Sequence, residues 1–328
     1  MTLNRRAALG LAALAAAPRP AAALTPVSVQ AAPPDPTETV RLWPGPAPGG
    51  ERVTVTPQVT ERSTDPTFHD RFARYTADPI LTVLRPARPN GASLLLIPGG
   101  GYKWAVIDKE GLDCARVFAA AGVTCFVLRY RLPGDGWAAG PDAPLQDAQR
   151  ALRLVRSQAA AQGLDPARVA VLGASAGGHL AGMLTARSDV TYAAVDAADA
   201  FSHRPDLSIL LYPVATMADL HVHAGSRLEL LGSSPRPEAI DRYSLERMDW
   251  TGRPPTFLLH AMDDPAVPVE NSLQLLTMLK AARVPAEAHL FQEGGHGFGI
   301  RLIAGKPAAI WPQLALAWAA RHGWITQT

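Results

Sequence analysis

The sequence predicts an α/β fold: a mostly parallel central sheet of about eight strands with helices on both faces. Three observations carry that expectation. Several short runs are continuously apolar, which suits strands of a parallel sheet covered on both faces. Longer helical stretches alternate with those runs, as βαβ units with right-handed crossovers require. Glycines punctuate the ends of those stretches, at Gly122 and Gly163 among others.

Taken in order, residues 1–23 read as an export signal. Arg5 and Arg6 precede an uncharged run from Ala7 to Ala17, and Ala21-Ala22-Ala23 offers small residues for cleavage. A membrane span needs about 20 apolar residues, so this run is too short to cross. Sec and twin-arginine export both stay open; either predicts a periplasmic or secreted protein. Residues 24–50, rich in Pro, Ala and Gly, read as a linker and lead-in segment, and 51–328 as one catalytic domain. Strand expectations fall on Val53–Arg62, with period-two alternation, and on Ile80–Pro86, Ala92–Pro98, Val123–Tyr130 and Arg168–Ala174. They continue at Leu207–Pro213, Thr256–Met262 and Ala286–Gln292. Helices are expected over Lys109–Gly122, Ala143–Gly163, from Ala176 onward, Val269–Val284 and Ala308–Gly323. The long segment between Pro213 and Pro254 reads as an excursion over a sheet edge, as part of a lid or as a surface connection.

The chain has 328 residues, 48% of them hydrophobic, and a formal net charge of only +2. No basic stripe supports a nucleic-acid partner. Cys114 and Cys125 are expected as two buried, unpaired thiols, with a disulfide as the alternative in an exported protein. His221-Val222-His223 lacks a third ligand and reads as a solvated or capping pair, so no metal and no cofactor are expected.

The chemistry centres on Ser175 in Gly173-Ala174-Ser175-Ala176-Gly177. This is a G-x-S-x-G placed where a strand turns into a helix, so the hydroxyl stands exposed on a tight corner. A serine hydroxyl needs a base, and the base needs an orienting group. The chain order for such a site is serine, acid, histidine. His296, between glycines on the loop after the last expected strand, suits the base better than any of the other histidines; His179 is expected to pack or cap one helical turn past Ser175. Asp263 and Asp264 follow another strand, and being adjacent only one of them can face His296. The other would cap the next helix or be solvated. Gly99-Gly100-Gly101 follows the strand ending at Pro98 and supplies backbone N–H groups for an oxyanion.

With these residues assembled, the chain resembles the α/β-hydrolase superfamily, and within it the carbohydrate-esterase-like branch of acetylxylan and feruloyl esterases. The resemblance rests on LWPGPAPG (42–49), IPGGGY (97–102), YRLP (130–133), PLQDAQRALRLVR (144–156), LGASAGGHLA, RPDLSILLYPV (204–214), PPTFLLHAMDDPAVPVENSL (254–273) and GGHGFG. It implies the α/β-hydrolase fold, Ser175 as nucleophile, His296 as base and Asp264 as the acid, since Asp264 precedes Pro265-Ala266-Val267-Pro268. It also implies oxyanion donors at Gly100, Gly101 and Ala176. Pro98 stands where many lipase-like relatives carry a histidine, which argues against a generic lipase. The expected substrate is a small ester or an acylated carbohydrate such as acetylated xylan. Tyr102, Trp104 and Phe298 are candidates either for a sugar platform or for plain pocket walls. A peptidase or general carboxylesterase of the same fold, and a catalytically silent binding scaffold, are the competing readings.

Overall fold

The structure, a computed structural model, describes residues 32–325. In chain order the strands are β1 (Thr39–Arg41), β2 (Gln58–Glu61), β3 (Arg71–Arg74), β4 (Ile80–Leu84), β5 (Ser93–Ile97) and β6 (Ala105–Val106). They continue as β7 (Thr124–Arg129), β8 (Val169–Ala174), β9 (Leu207–Leu211), β10 (Thr256–Ala261) and β11 (Ala286–Phe291). The α-helices are α1 (Asp113–Ala120), α2 (Ala143–Gln158), α3 (Ala176–Ala186), α4 (Ala224–Leu231), α5 (Pro237–Tyr243), α6 (Glu270–Ala281) and α7 (Trp311–Arg321). The main sheet has eight strands in the order β1-β4-β7-β5-β8-β9-β10-β11. Pairing is antiparallel for β1–β4 and β4–β7, and parallel from β7 to β11. This is the α/β-hydrolase fold.

The uniformly apolar strands are explained by two cores, one on each face. Along β5, Leu95 and Ile97 join the core under α2, α3 and α6, while Leu94 and Leu96 join the one under α1 and α7. Successive side chains of a strand point to opposite faces, so both parities must be apolar when both faces are covered. Cys114 and Cys125 are buried in the second core as free thiols, as the blander expectation had it.

The expected linker over 24–50 becomes ordered structure well before residue 51. β1 is an edge strand of the main sheet, and Leu42 and Trp43 are 0% and 4% exposed. The reason lies far along the chain. Asp147 of α2 is fully buried and accepts from the Trp43 indole N–H at 2.8 Å and from the Arg131 backbone and guanidinium. Arg131 also donates to the Pro48 carbonyl, and Arg150 to that of Leu42. A buried carboxylate needs such partners, and the lead-in segment provides one of them, the Trp43 indole. The alternating run Val53–Arg62 forms only the short β2, and in a separate three-stranded sheet, β2-β3-β6. The export signal expected over 1–23 lies outside the described residues.

Candidate active site

The corner at Ser175 is built by the close approach of its neighbours. Ser175 sits at φ 55°, ψ −122°, a region rarely used by residues with a side chain. A Cβ on Gly177 would stand 2.1 Å from the Ile97 carbonyl oxygen, and one on Gly173 only 2.2 Å from the Gly177 carbonyl oxygen. Only glycine lets β8, β5 and the first turn of α3 meet this closely. The hydroxyl is thereby lifted off the strand end, at the N-terminus of a fully buried helix.

His296, on the loop after β11, places Nε2 2.8 Å from Ser175 Oγ and Nδ1 2.7 Å from Asp264 Oδ2. Neutral His296 therefore donates from Nδ1 to the carboxylate and accepts the serine proton at Nε2. The Asp264 side chain is fully buried after β10, and its Oδ1 accepts the N–H groups of Ala266 and Val267, both at 2.9 Å. Burial raises the Asp264 carboxyl, but hydrogen bonds from His260, His296 and the Val267 N–H outweigh burial and hold it well below the usual carboxylate range. His260, buried in β10, has Nε2 3.0 Å from the Val267 carbonyl and 3.2 Å from Asp264 Oδ2. A carbonyl only accepts, so the His260 proton sits on Nε2, between the carbonyl and the carboxylate. Asp263 caps no helix but is exposed to solvent, as one of the two expectations had it, and its Oδ1 accepts the N–H groups of Gly294 and Gly295 at 2.8 Å each. The unused neighbour of Asp264 thus anchors the loop that carries His296.

The glycine loop faces this trio. Gly99 N–H is committed to the buried Glu110 carboxylate at 2.9 Å. Among the described residues, no acceptor takes the N–H groups of Gly100, Gly101 or Ala176. Glu110, which sequence reasoning passed over, also accepts from the Tyr212 hydroxyl, which in turn accepts Gly299 N–H at 3.0 Å. One buried carboxylate therefore ties the glycine loop to the His296 loop, and the Tyr212 ring packs edge-on against His296. Burial, reinforced by the Glu110 charge, pushes the Tyr212 hydroxyl well up, so it remains a neutral donor.

A cavity of about 430 Å³ opens over Ser175 and His296, with Trp104, Lys109, His223 and Leu228 in its walls. Of the three aromatic candidates only Trp104 lines it. Tyr102 is 1% exposed and turned inward, its hydroxyl 2.6 Å from Nδ1 of His179. Phe298 is 0% exposed, packed under Tyr212. Neither can meet a sugar ring, because an aromatic beside a glycine turn is directed by the backbone, and both are drawn into the core. The 213–254 excursion is more than a surface connection. It supplies His223, Gly225, Leu228 and Glu229 to the cavity wall and buries Leu230, Tyr243, Leu245 and Trp250. His223 does cap, accepting Ser226 N–H at the start of α4.

Fold and site together define an α/β-hydrolase whose serine is hydrogen-bonded to a histidine–aspartate pair. The chain belongs to the BD-FAE family, whose pattern matches residues 85–279. It is 32% identical over 221 residues to an acetylxylan esterase of Xylanibacter ruminicola, covering 65% of this chain and 42% of that protein. It is 35% identical over 208 residues to endo-1,4-beta-xylanase B of Butyrivibrio fibrisolvens, covering 63% of this chain and 32% of that one. The chain thus spans less than half the length of these two curated relatives. Among solved structures it is similar to an acetyl ester-xyloside bifunctional hydrolase from Caldicellulosiruptor lactoaceticus, with 30% identity and a TM-score of 0.70, over 91% of this chain and 100% of that one.

Proposed function

We propose that this protein is a serine carboxylic ester hydrolase that removes acetyl groups from acylated sugars or glycans such as acetylated xylan. The reading is carried by the hydrogen-bonded chain Ser175–His296–Asp264 on a strained strand-to-helix corner. In the first step His296 Nε2 takes the Ser175 proton while Oγ bonds to the ester carbonyl carbon. Asp264 holds the imidazole in the accepting tautomer and balances the imidazolium that forms. The N–H groups of Gly100, Gly101 and Ala176 receive the charge on the carbonyl oxygen, each worth about 3 kcal/mol of barrier in such sites. His296 then returns the proton to the departing alcohol oxygen, the C–O bond breaks, and Ser175 is left acylated. Water, deprotonated by His296 Nε2, attacks the acyl carbon; the bond to Ser175 Oγ breaks, His296 returns the proton to Oγ, and the carboxylic acid leaves.

The acetyl–sugar substrate is supported by the similarity to an acetylxylan esterase and an acetyl ester-xyloside hydrolase, a cavity open to solvent and Trp104 in its wall. Export through residues 1–23 belongs to the same reading, since a polysaccharide substrate lies outside the cell.

The class of activity is tested with a fluorophosphonate, which should label Ser175 stoichiometrically in the wild type and not in Ser175→Ala. A folded protein that takes no label rejects a working serine hydrolase in favour of a silent scaffold. Acetate release from acetylated xylan, measured beside an aryl acetate, tests the substrate; turnover of the aryl ester alone removes the polysaccharide assignment.

A further inference from the structure

His223 contributes a second imidazole to the cavity, and its hydrogen bonds fix which nitrogen faces inward. The backbone N–H of Ser226 lies 3.1 Å from Nδ1, and the Ser226 hydroxyl 2.8 Å from it. A backbone N–H can only donate, so Nδ1 carries the lone pair and the neutral ring holds its proton on Nε2. Burial, helped by the nearby His296 and opposed by Asp264, shifts the ring downward, toward this neutral form. Among the described residues Nε2 has no hydrogen-bond partner, and the ring lines the same cavity as Ser175, Gly101 and His296. A Cβ on Gly225 would crowd the ring at 3.3 Å from His223 Cε1, and one on Gly101 would touch the same atom at 3.9 Å.

The position relative to His296 identifies what such a donor meets. The two rings are nearly parallel, 17° apart, with centroids 6.4 Å from each other. His296 Nε2 hands its proton to the departing alcohol oxygen, and the His223 ring stands beside it in the same cavity. The carbonyl oxygen is already served by the glycine loop and Ala176.

We propose that His223 is a specificity-determining residue: its Nε2–H donates a hydrogen bond to a free hydroxyl next to the esterified oxygen of the substrate. The preferred substrates are then partially acylated sugars or polyols that keep a hydroxyl beside the acyl group. No proton is transferred; the ring stays neutral throughout. The proposal rests on the ester-hydrolase reading above and narrows its substrate.

The test uses the full chain and two acetates of matched size, ethylene glycol monoacetate and propyl acetate, which differ by a hydroxyl in place of a methyl. The variant is His223→Asn. Asparagine is a strong helix N-cap and accepts Ser226 N–H, but its short side chain leaves no donor where the ring edge stood. The ratio of kcat/KM for the hydroxylated over the unhydroxylated acetate should be about tenfold higher in the wild type than in His223→Asn. Thermal melting of the two proteins should coincide, which separates lost recognition from a lost cap. An equal ratio in both proteins overturns the proposal while leaving the hydrolase reading in place. A wild type inert toward both acetates overturns the hydrolase reading itself, and this proposal with it. Should His223→Asn fail to fold, the wild type alone decides: cleavage of both acetates without preference for the hydroxylated one rejects the role of His223.

Discussion

Two regions wall the same cavity by different means. On one side, Ser175, the glycine loop, Asp264 and His296 all stand at the carboxyl ends of parallel strands, and the Ser175–His296–Asp264 hydrogen bonds join three of those ends. On the other, the 213–254 excursion brings in His223 and Leu228 on short helices whose hold on the domain is mostly side-chain packing, through Leu230, Tyr243, Leu245 and Trp250. The strand-end side has strained backbone and buried charge, features that persist only where the surroundings over-determine them. The excursion side has one left-handed non-glycine residue, His221 at φ 67°, but none of its residues joins the Ser175–His296–Asp264 chain. The chemistry is therefore expected to depend on the first side, and the choice of substrate on the second.

The sharpest way to break this division is at the pair Asp263 and Asp264. Asp264→Asn keeps the shape of the side chain but offers His296 the wrong tautomer, and should lower kcat on an aryl acetate on the order of 10⁴-fold. Asp263→Ala removes only the anchor of Gly294 and Gly295, and should cost on the order of tenfold through a looser His296 loop. Equal losses in steady-state assays of the two variants would mean that loop anchoring, and not tautomer control, dominates this side.

This pair also shows what could be read from the chain. Ser175 and His296 stood out because their signals are local: glycines two residues either side of a serine at a strand end, and a glycine-flanked histidine after the last strand. Adjacent carboxylates carry no such signal. Which one turns toward His296 depends on how the loops after β10 and β11 pack, and only the family resemblance pointed to Asp264. The alternation in Val53–Arg62 gave an extended segment without saying which sheet would receive it. The three-residue β1 has too few positions to show any period, and its place in the main sheet follows from Trp43 meeting Asp147, about a hundred residues on. Glu110 was hidden for a similar reason, since nothing near it in sequence marks a carboxylate that links Gly99 to Tyr212.

The rigidity of the strand-end side is tested at Gly177. An added methyl group there meets the carbonyl oxygens of Ile97 and Pro98, at 2.1 and 2.5 Å, and backbone cannot step aside as a flexible side chain would. Gly177→Ala should lose at least about 3 kcal/mol of stability in chemical denaturation, an overpacking penalty at the upper end of the usual range. A loss below about 1 kcal/mol would show that the corner yields and that its tightness is incidental.

The two sides meet at His179, and its titration sharpens the comparison further. Nε2 lies 2.6 Å from the carbonyl of Tyr243, on the excursion, and Nδ1 accepts from the hydroxyl of Tyr102, on the glycine loop. Burial pushes the imidazole down from 6.5 to about 4, against the opposing pull of the Tyr243 carbonyl. Between those two values the unfolded chain binds a proton that the folded one refuses, so stability rises with pH across that window and is lost on acidification. The full window is worth about 3 kcal/mol. His179→Gln retains an acceptor for Tyr102 and a donor for Tyr243 but does not titrate. Its stability should therefore fall less than that of the wild type between pH 7 and pH 4, by about 2 to 3 kcal/mol, in denaturant titrations at fixed ionic strength. Parallel profiles for the two proteins would show that this joint is not what acid loosens, and would leave the other imidazoles that burial shifts downward, His203 and His223, as the groups that lose stability in that window.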